Sequence, residues 1–161
     1  MSKAEHSRTR ELKPEDLDAV IEIDRRITGR ARRGFFEQRL KAAQSGADTF
    51  IAMATEDEDG GALTGYAIAR VQAGEFGDDR LMAILDIIGV DPACQQSGLG
   101  TQLIDGVTRT MQKLGIKELR TQAPWTDYAV IPFFAANGFT LTSRIVLERP
   151  ATRLVEPLEE S

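Results

Sequence analysis

The residues best placed to do chemistry lie between Ile88 and Leu103, where an apolar stretch passes through Val90, Asp91, Pro92, Ala93, Cys94, Gln95, Gln96 and Ser97 into Gly98, Leu99, Gly100 and Thr101. If a strand ends at Val90 and a helix begins near Gly98, the first helical N–H groups point outward without acceptors. They carry partial positive charge and form an anion site that needs no Lys or Arg. Gly98 and Gly100 lack side chains, so a phosphate could approach the backbone closely and a tight turn could form around it. A Gly pair at a strand-to-helix turn also shapes the turn with no ligand at all. Two familiar phosphate loops do not fit. A Walker loop needs Gly-Lys-Ser/Thr four residues after a Gly, and no such run occurs; the dinucleotide fingerprint needs a third Gly or Ala where Leu103 stands.

Composition removes other chemistries. The chain has 161 residues, one His and one Cys. His6 and Cys94 cannot assemble a zinc cluster or an internal disulfide, so no metal is expected. Nucleophilic systems built on His would have to use His6, in a polar N-terminal stretch, and Cys94 has no histidine near it in sequence to activate it. The formal net charge of -5 argues against general binding to nucleic acid or anionic membranes. No apolar run approaches a membrane span and the N-terminal residues carry no apolar signal core, which reads as a soluble, cytoplasmic protein.

The elements that must position the loop follow from periodicity. Residues 8–12 suit a short edge strand, and Pro14, Glu15 and Asp16 open a helix whose stripe of Leu17, Val20, Ile21 and Ile23 runs to about Ile27 before Gly29. A second helix is predicted over Phe35 to Ala43. Residues 49–55 and 63–72 read as a hairpin, and 81–90 as a central strand apolar on both faces. Leu99, Leu103, Ile104, Val107, Met111 and Leu114 recur at helical spacing up to Gly115. A strand over 116–124, a short helix over Phe133 to Asn137 shortened by Pro132, and a last strand over 139–149 complete the order. No repeat is visible. The expected organisation is a loosely held segment over 1–7, one mixed-sheet α/β or α+β domain over 8–149, and a loose tail over 150–161.

With these residues in view, the sequence resembles the GNAT superfamily of N-acetyltransferases. The resemblance rests on the pattern V-x-P-x-x-Q/R-x-x-G-x-G/A, here Val90, Pro92, Gln95, Gly98 and Gly100, and on Gly138-Phe139 closing a short helix with Phe133 and Phe134. It covers roughly residues 8–148. It implies a mostly antiparallel central sheet flanked by helices, with a splayed strand pair at an acetyl-CoA site. It also implies that amides of Gln96, Ser97, Gly98, Leu99, Gly100 and Thr101, beside Gln95, surround the pyrophosphate while main-chain groups of Ile88 and Val90 hold the pantetheine. The reaction would be direct attack of a primary amine, carried by a small molecule, a peptide or a protein, on the thioester in a ternary complex. That chemistry needs positioning, a proton acceptor and oxyanion stabilisation, not a covalent intermediate.

Within that resemblance, Asp86 and Glu75 are the candidate bases. Asp86 lies in an apolar strand, where it either accepts a proton or pairs with an arginine; Glu75 lies in a Gly-flanked turn that either faces the acceptor or solvent. Phe134 stands where many family members have the tyrosine that protonates the leaving thiolate, so Tyr128 is the substitute considered, and Phe134 is left to pack against pantetheine or in the core. Asp127 occupies a position where the family often has Asn near the cofactor. The N-terminal helices help build the acceptor site in this family, which makes Asp24, Arg25, Arg30, Arg32 and Arg33 candidate acceptor contacts, or simply a solvated basic loop. Arg109, Lys113 and Lys117 suit either the anionic end of CoA or water. Family members often dimerise through the sheet edge or C-terminal strand, which makes 142–147 a candidate homodimer interface. The alternative function is a non-catalytic CoA-binding or sensor domain of the same fold.

Overall fold

The structure is a computed structural model, and it describes residues 3–46, 49–95 and 97–152. Five strands form one sheet in the order β1-β2-β3-β4-β5: β1 (Ser7–Glu11), β2 (Phe50–Asp57), β3 (Leu63–Gln72), β4 (Met82–Val90) and β5 (Leu119–Thr121). The first four run antiparallel and β5 lies parallel to β4, as a mixed, mostly antiparallel sheet requires. Two helices, α1 (Leu17–Thr28) and α2 (Arg33–Gln44), cover one face, and α3 (Leu99–Leu114) covers the other, with the short α4 (Val130–Ala136) beside it.

Alternation along the strands divides the core between the two faces. Tyr66, Ile68, Ala52 and Ala54 pack under Val20, Ile21, Ile23, Phe36 and Leu40 of α1 and α2. Met53, Ala67, Ala69 and Leu85 meet Leu103, Ile104, Val107 and Met111 of α3. The stripe on α3 recurs at three and four residues, so one helical face stays dry along its length. Gly29 and Gly115 end α1 and α3 in the left-handed region, at φ 76° and 74°.

The sheet departs from a regular ladder at one place that matters. Ile68 of β3 faces Ile87 of β4 and Ala69 faces Leu85, so Asp86 has no opposite residue: β4 bulges there. The bulge coincides with the end of β5, whose last pair is Thr121 with Leu85. Beyond it β4 runs on to Val90 with β3 on one side and, among the described residues, no strand on the other.

Several expectations need correction. No strand follows α4 among the described residues: 139–150 has no regular structure. Its apolar residues alternate as in a strand, but a strand exists only against a partner edge, and β5 offers three residues. An open cleft of about 390 Å³, lined by Leu119, Arg120, Phe139 and Thr142 among others, separates this segment from β5. The strand expected over 116–124 shrinks to Leu119–Thr121. The short helix begins earlier than expected, because Pro132 sits in its first turn, where a missing N–H leaves no helical bond unmade. Residues 3–7 are part of the fold: Lys3–His6 make a 3-10 turn, Ser7 starts β1, and the His6 carbonyl accepts from Glu58 N. Among the described residues no helix is long and apolar enough to cross a membrane, and no group of three or more His, Cys, Asp or Glu could hold a metal ion.

Candidate active site

The open edge of β4 and the loop that follows it form one continuous polar lining. Ala83 N donates to Glu118 O and Leu85 O accepts from Thr121 Oγ1, so alternate residues of β4 turn their main chain toward β5. The bulge at Asp86 resets the alternation. Ile88 and Val90, whose side chains pack on the α3 face, thereby present their main chain to the edge that β5 has vacated. Gln95 Nε2 donates to Val90 O at 3.3 Å, which ties the loop to the strand end.

After Val90 the chain is fixed by short-range bonds. Asp91 N donates to Thr64 O, and the Asp91 carboxylate accepts from Ala93 N and from Arg26 Nη1 at 2.9 Å. Ser97 Oγ bonds Cys94 O. Gly98 adopts φ 83° and offers α3 no side-chain cap, so the N–H groups of Leu99, Gly100 and Thr101 precede the first helical acceptor; Gln102 N is the first to find one, in Gly98 O. The Leu99 side chain is buried, so only its main chain is available to a ligand. Gln96 lies outside the described residues.

Packing alone already calls for glycine at both positions. A Cβ on Gly98 would stand 3.3 Å from Ala4 Cβ, and one on Gly100 would enter the Phe133 ring at 2.8 Å. The space on the side-chain side is therefore occupied by the protein, and what the glycines leave to an anion is their N–H groups. The N-terminal turn is anchored at the same place, since Gln102 Nε2 donates to Ala4 O at 2.6 Å while Gln102 Oε1 is buried with no partner among the described residues.

On the α1 and α2 face, Asp86 is not a free carboxylate. Arg70 Nε donates to both of its oxygens at 2.7 and 2.8 Å, and Arg39 Nε reaches Oδ2 at 3.4 Å. Of the two readings open from sequence, the structure has the arginine-paired one. Glu75 has no such partner among the described residues: its turn runs Gly74 (φ 74°), Glu75, Phe76 (φ 53°), Gly77 (φ 77°), with left-handed backbone on both sides of Glu75 and a bulky residue among the left-handed ones. Arg144 lies over the Phe76 ring at 5.4 Å.

Asp24 is fully buried, bonded by Arg32 through both oxygens and approached by Tyr66 Oη at 3.4 Å. Direct contact with an acceptor is thereby corrected to a structural ion pair. Burial, reinforced by the Asp24 charge, pushes the Tyr66 hydroxyl well above its ordinary pKa, so it remains a protonated donor. Arg25 pairs with Glu22 and Arg33 with Asp18; Arg30 is exposed. Downstream, Asp127 Oδ1 accepts from Ala129 and Val130 at the start of α4, a capping role. Tyr128 is 83% exposed, and Phe134 is a core residue 5.0 Å from Phe139.

Sequence reasoning missed Tyr66, Arg39 and Arg70. The signal was present for Arg70 and Asp86: each is the lone charge within an apolar run, on two segments read as adjacent strands. Nothing local marks Arg39, which reaches the site only through the packing of α2.

A family model for the acetyltransferase (GNAT) family matches residues 16–139. No curated protein sequence matches the chain. Among solved structures, an aminoglycoside N-acetyltransferase AAC(6')-Iy in complex with CoA is similar at TM-score 0.75 and 20% identity, covering 91% of this chain and 95% of the other. The PaiA N-acetyltransferase from Thermoplasma acidophilum in complex with coenzyme A follows at 0.72 and 19%, covering 86% and 92%. Glucosamine-6-phosphate N-acetyltransferase from Arabidopsis thaliana matches at 0.69 and 15%, covering 89% and 97%.

Proposed function

The chain belongs to the acetyltransferase (GNAT) family, and from that premise we propose that it transfers the acetyl group of acetyl-CoA to a primary amine of a small molecule by direct attack in a ternary complex. The observation that carries the reading is the unpaired edge of β4 continuing into the uncapped amides at the start of α3. In this reading the N–H groups of Ser97, Gly98, Leu99, Gly100 and Thr101 receive the pyrophosphate, and the main chain of Ile88 and Val90 receives the pantetheine amides as a substitute strand. Acetyl-CoA would supply an activated thioester; the chain's own part is to hold it in line with the amine and exclude competing water.

Proton acceptance falls to Glu75 through water, because both oxygens of Asp86 already accept from arginine. Asp86 then acts as a positioning residue. The exposed Tyr128 is the tyrosine nearer in sequence to Phe134, and thiolate protonation is assigned to it or to solvent. Small amine acceptors are supported by the relatives, which include enzymes named for aminoglycosides and glucosamine 6-phosphate. A second copy meeting the first through 142–147 is supported by the exposure of Ile145, Val146 and Leu147.

The test is calorimetric titration with acetyl-CoA followed by thiol release over an amine panel. Gly98→Trp, strained by the left-handed φ and pressed against Ala4, should lose acetyl-CoA affinity by about tenfold or more, read beside a circular dichroism spectrum that shows whether the fold is kept; unchanged affinity would remove the loop from the site. The buried Phe134 favours one second reading, a domain that binds CoA without turnover. Tight acetyl-CoA binding with no thiol release from any amine would select it.

A further inference from the structure

Positive charge on the α1 and α2 side is matched almost residue by residue. Arg25 has Glu22, Arg26 has Glu22 and Asp91, Arg32 has Asp24, and Arg33 has Asp18. The exception among half-buried groups is the pair Arg39 and Arg70, which share the single carboxylate of Asp86 and have side chains 22% and 34% exposed. Arg70 spends only Nε on Asp86. Arg39 gives Nε to a long 3.4 Å contact and Nη1 to Phe35 O. Among the described residues, Arg39 Nη2 and both Arg70 Nη atoms have no protein acceptor. Arg39 is also held in place, its guanidinium carbon 3.6 Å from the centroid of the Phe35 ring.

Half-buried cations in excess of their anions are costly unless a further anion or water completes them. Their fixed forks suit a planar or tetrahedral oxyanion, gripped by two or more N–H groups at once. The cluster sits at the bulge, at the first residue of β4 beyond β5, where the open edge begins. We infer that Arg39 and Arg70 bind an anionic oxygen group, carboxylate or phosphate, carried by the acceptor amine a few bonds from the nitrogen. This rests on the transferase reading and adds to it the acceptor's class: an amino acid or a phosphorylated amine, with its acid on the α2 side and its nitrogen toward β4.

Two matched pairs test it: β-alanine against β-alaninamide for carboxylate, and O-phosphoethanolamine against ethanolamine for phosphate. The acid-bearing member of at least one pair should show kcat/KM about tenfold higher, through KM, and Arg70→Gln should bring the ratio to about one. Which pair responds identifies the oxyacid. Calorimetry with the same compounds on protein saturated with CoA reads binding without turnover. There the acid should bind about tenfold tighter than its neutral partner, and Asp86→Asn, which releases Arg70 Nε, should tighten it further, where loss of a merely structural ion pair would not. Should Arg70→Gln fail to fold, Arg39→Gln breaks a longer contact and serves instead. Neutral amines turned over as well as acidic ones overturn this inference and leave the transferase reading intact. Acid-selective binding with no thiol release from any amine keeps the anion site and overturns transfer; loss of both signals overturns both.

Discussion

A carboxylate with no exposed surface, such as Asp24, costs several kcal/mol to bury, and Arg32 and Tyr66 are what offset it. Removing the partner rather than the pair leaves a charge stranded. Arg32→Ala should therefore destabilise the protein by about 3–5 kcal/mol in urea unfolding, while Asp24→Asn with Arg32→Gln together should cost less than the sum of the two. Glu56 is nearly as deeply placed. The bond from Arg10, then that from Arg8, holds its carboxyl below the ordinary range. A depressed carboxyl contributes stability at neutral pH that is lost as pH falls through its folded value. Glu56→Gln should thus be weaker than the native protein by about 1–3 kcal/mol at pH 7, with the gap closing below about pH 4. The residue scale was only partly legible. Asp24 and the arginines around it were visible as charges, but which of them turn inward depends on α1 packing against β3, a contact no local pattern carries.

Between strands and helices, function depends on where regular structure stops. The bulge at Asp86 lets Ile88 and Val90 turn their main chain to the empty edge, and Gly89 gives Tyr66 its place: a Cβ there would lie 2.6 Å from Tyr66 Oη. Gly89→Ala should cost about 1–3 kcal/mol by overpacking. In a Tyr66→Ala background that cost should shrink by about 1 kcal/mol or more, measured as a double-mutant cycle. Glu75→Gln should lower kcat by about 10²-fold or more if its carboxylate takes the proton; an unchanged kcat would move the role elsewhere. The long amphipathic α3, the β2–β3 hairpin and the turn between β4 and α3 were legible because each satisfies its own periodicity and breakers. The bulge was hidden by an apolar run that reads the same in either register. The absent C-terminal strand was misread because alternation reports propensity, and propensity is realised only where an edge accepts it.

For the molecule as a whole, the run from Leu141 to Leu147 is the main unsolved surface: Leu141 is 100% and Leu147 83% exposed, beside a three-residue edge strand. Apolar surface of this kind is what a second copy would cover. Sedimentation at micromolar concentration should give twice the monomer mass, and Ile145→Lys with Leu147→Glu should return it to one; a monomer in the unsubstituted protein would sink the proposed dimer. The family-wide plan of sheet and helices was readable in advance because Val90, Pro92, Gln95, Gly98 and Gly100, with Gly138-Phe139, resemble the family pattern, and that resemblance implied the plan. The seating of the first turn was not, since a contact across ninety-eight positions leaves no trace in either neighbourhood.

That seating carries a practical corollary. Ala4 rests against Gly98 and hands its carbonyl to Gln102, so a purification handle joined just ahead of Lys3 would start within a few residues of the loop proposed to hold the coenzyme. Paired preparations tagged at either end, compared for acetyl-CoA KM, would reveal how firmly that doorstop holds.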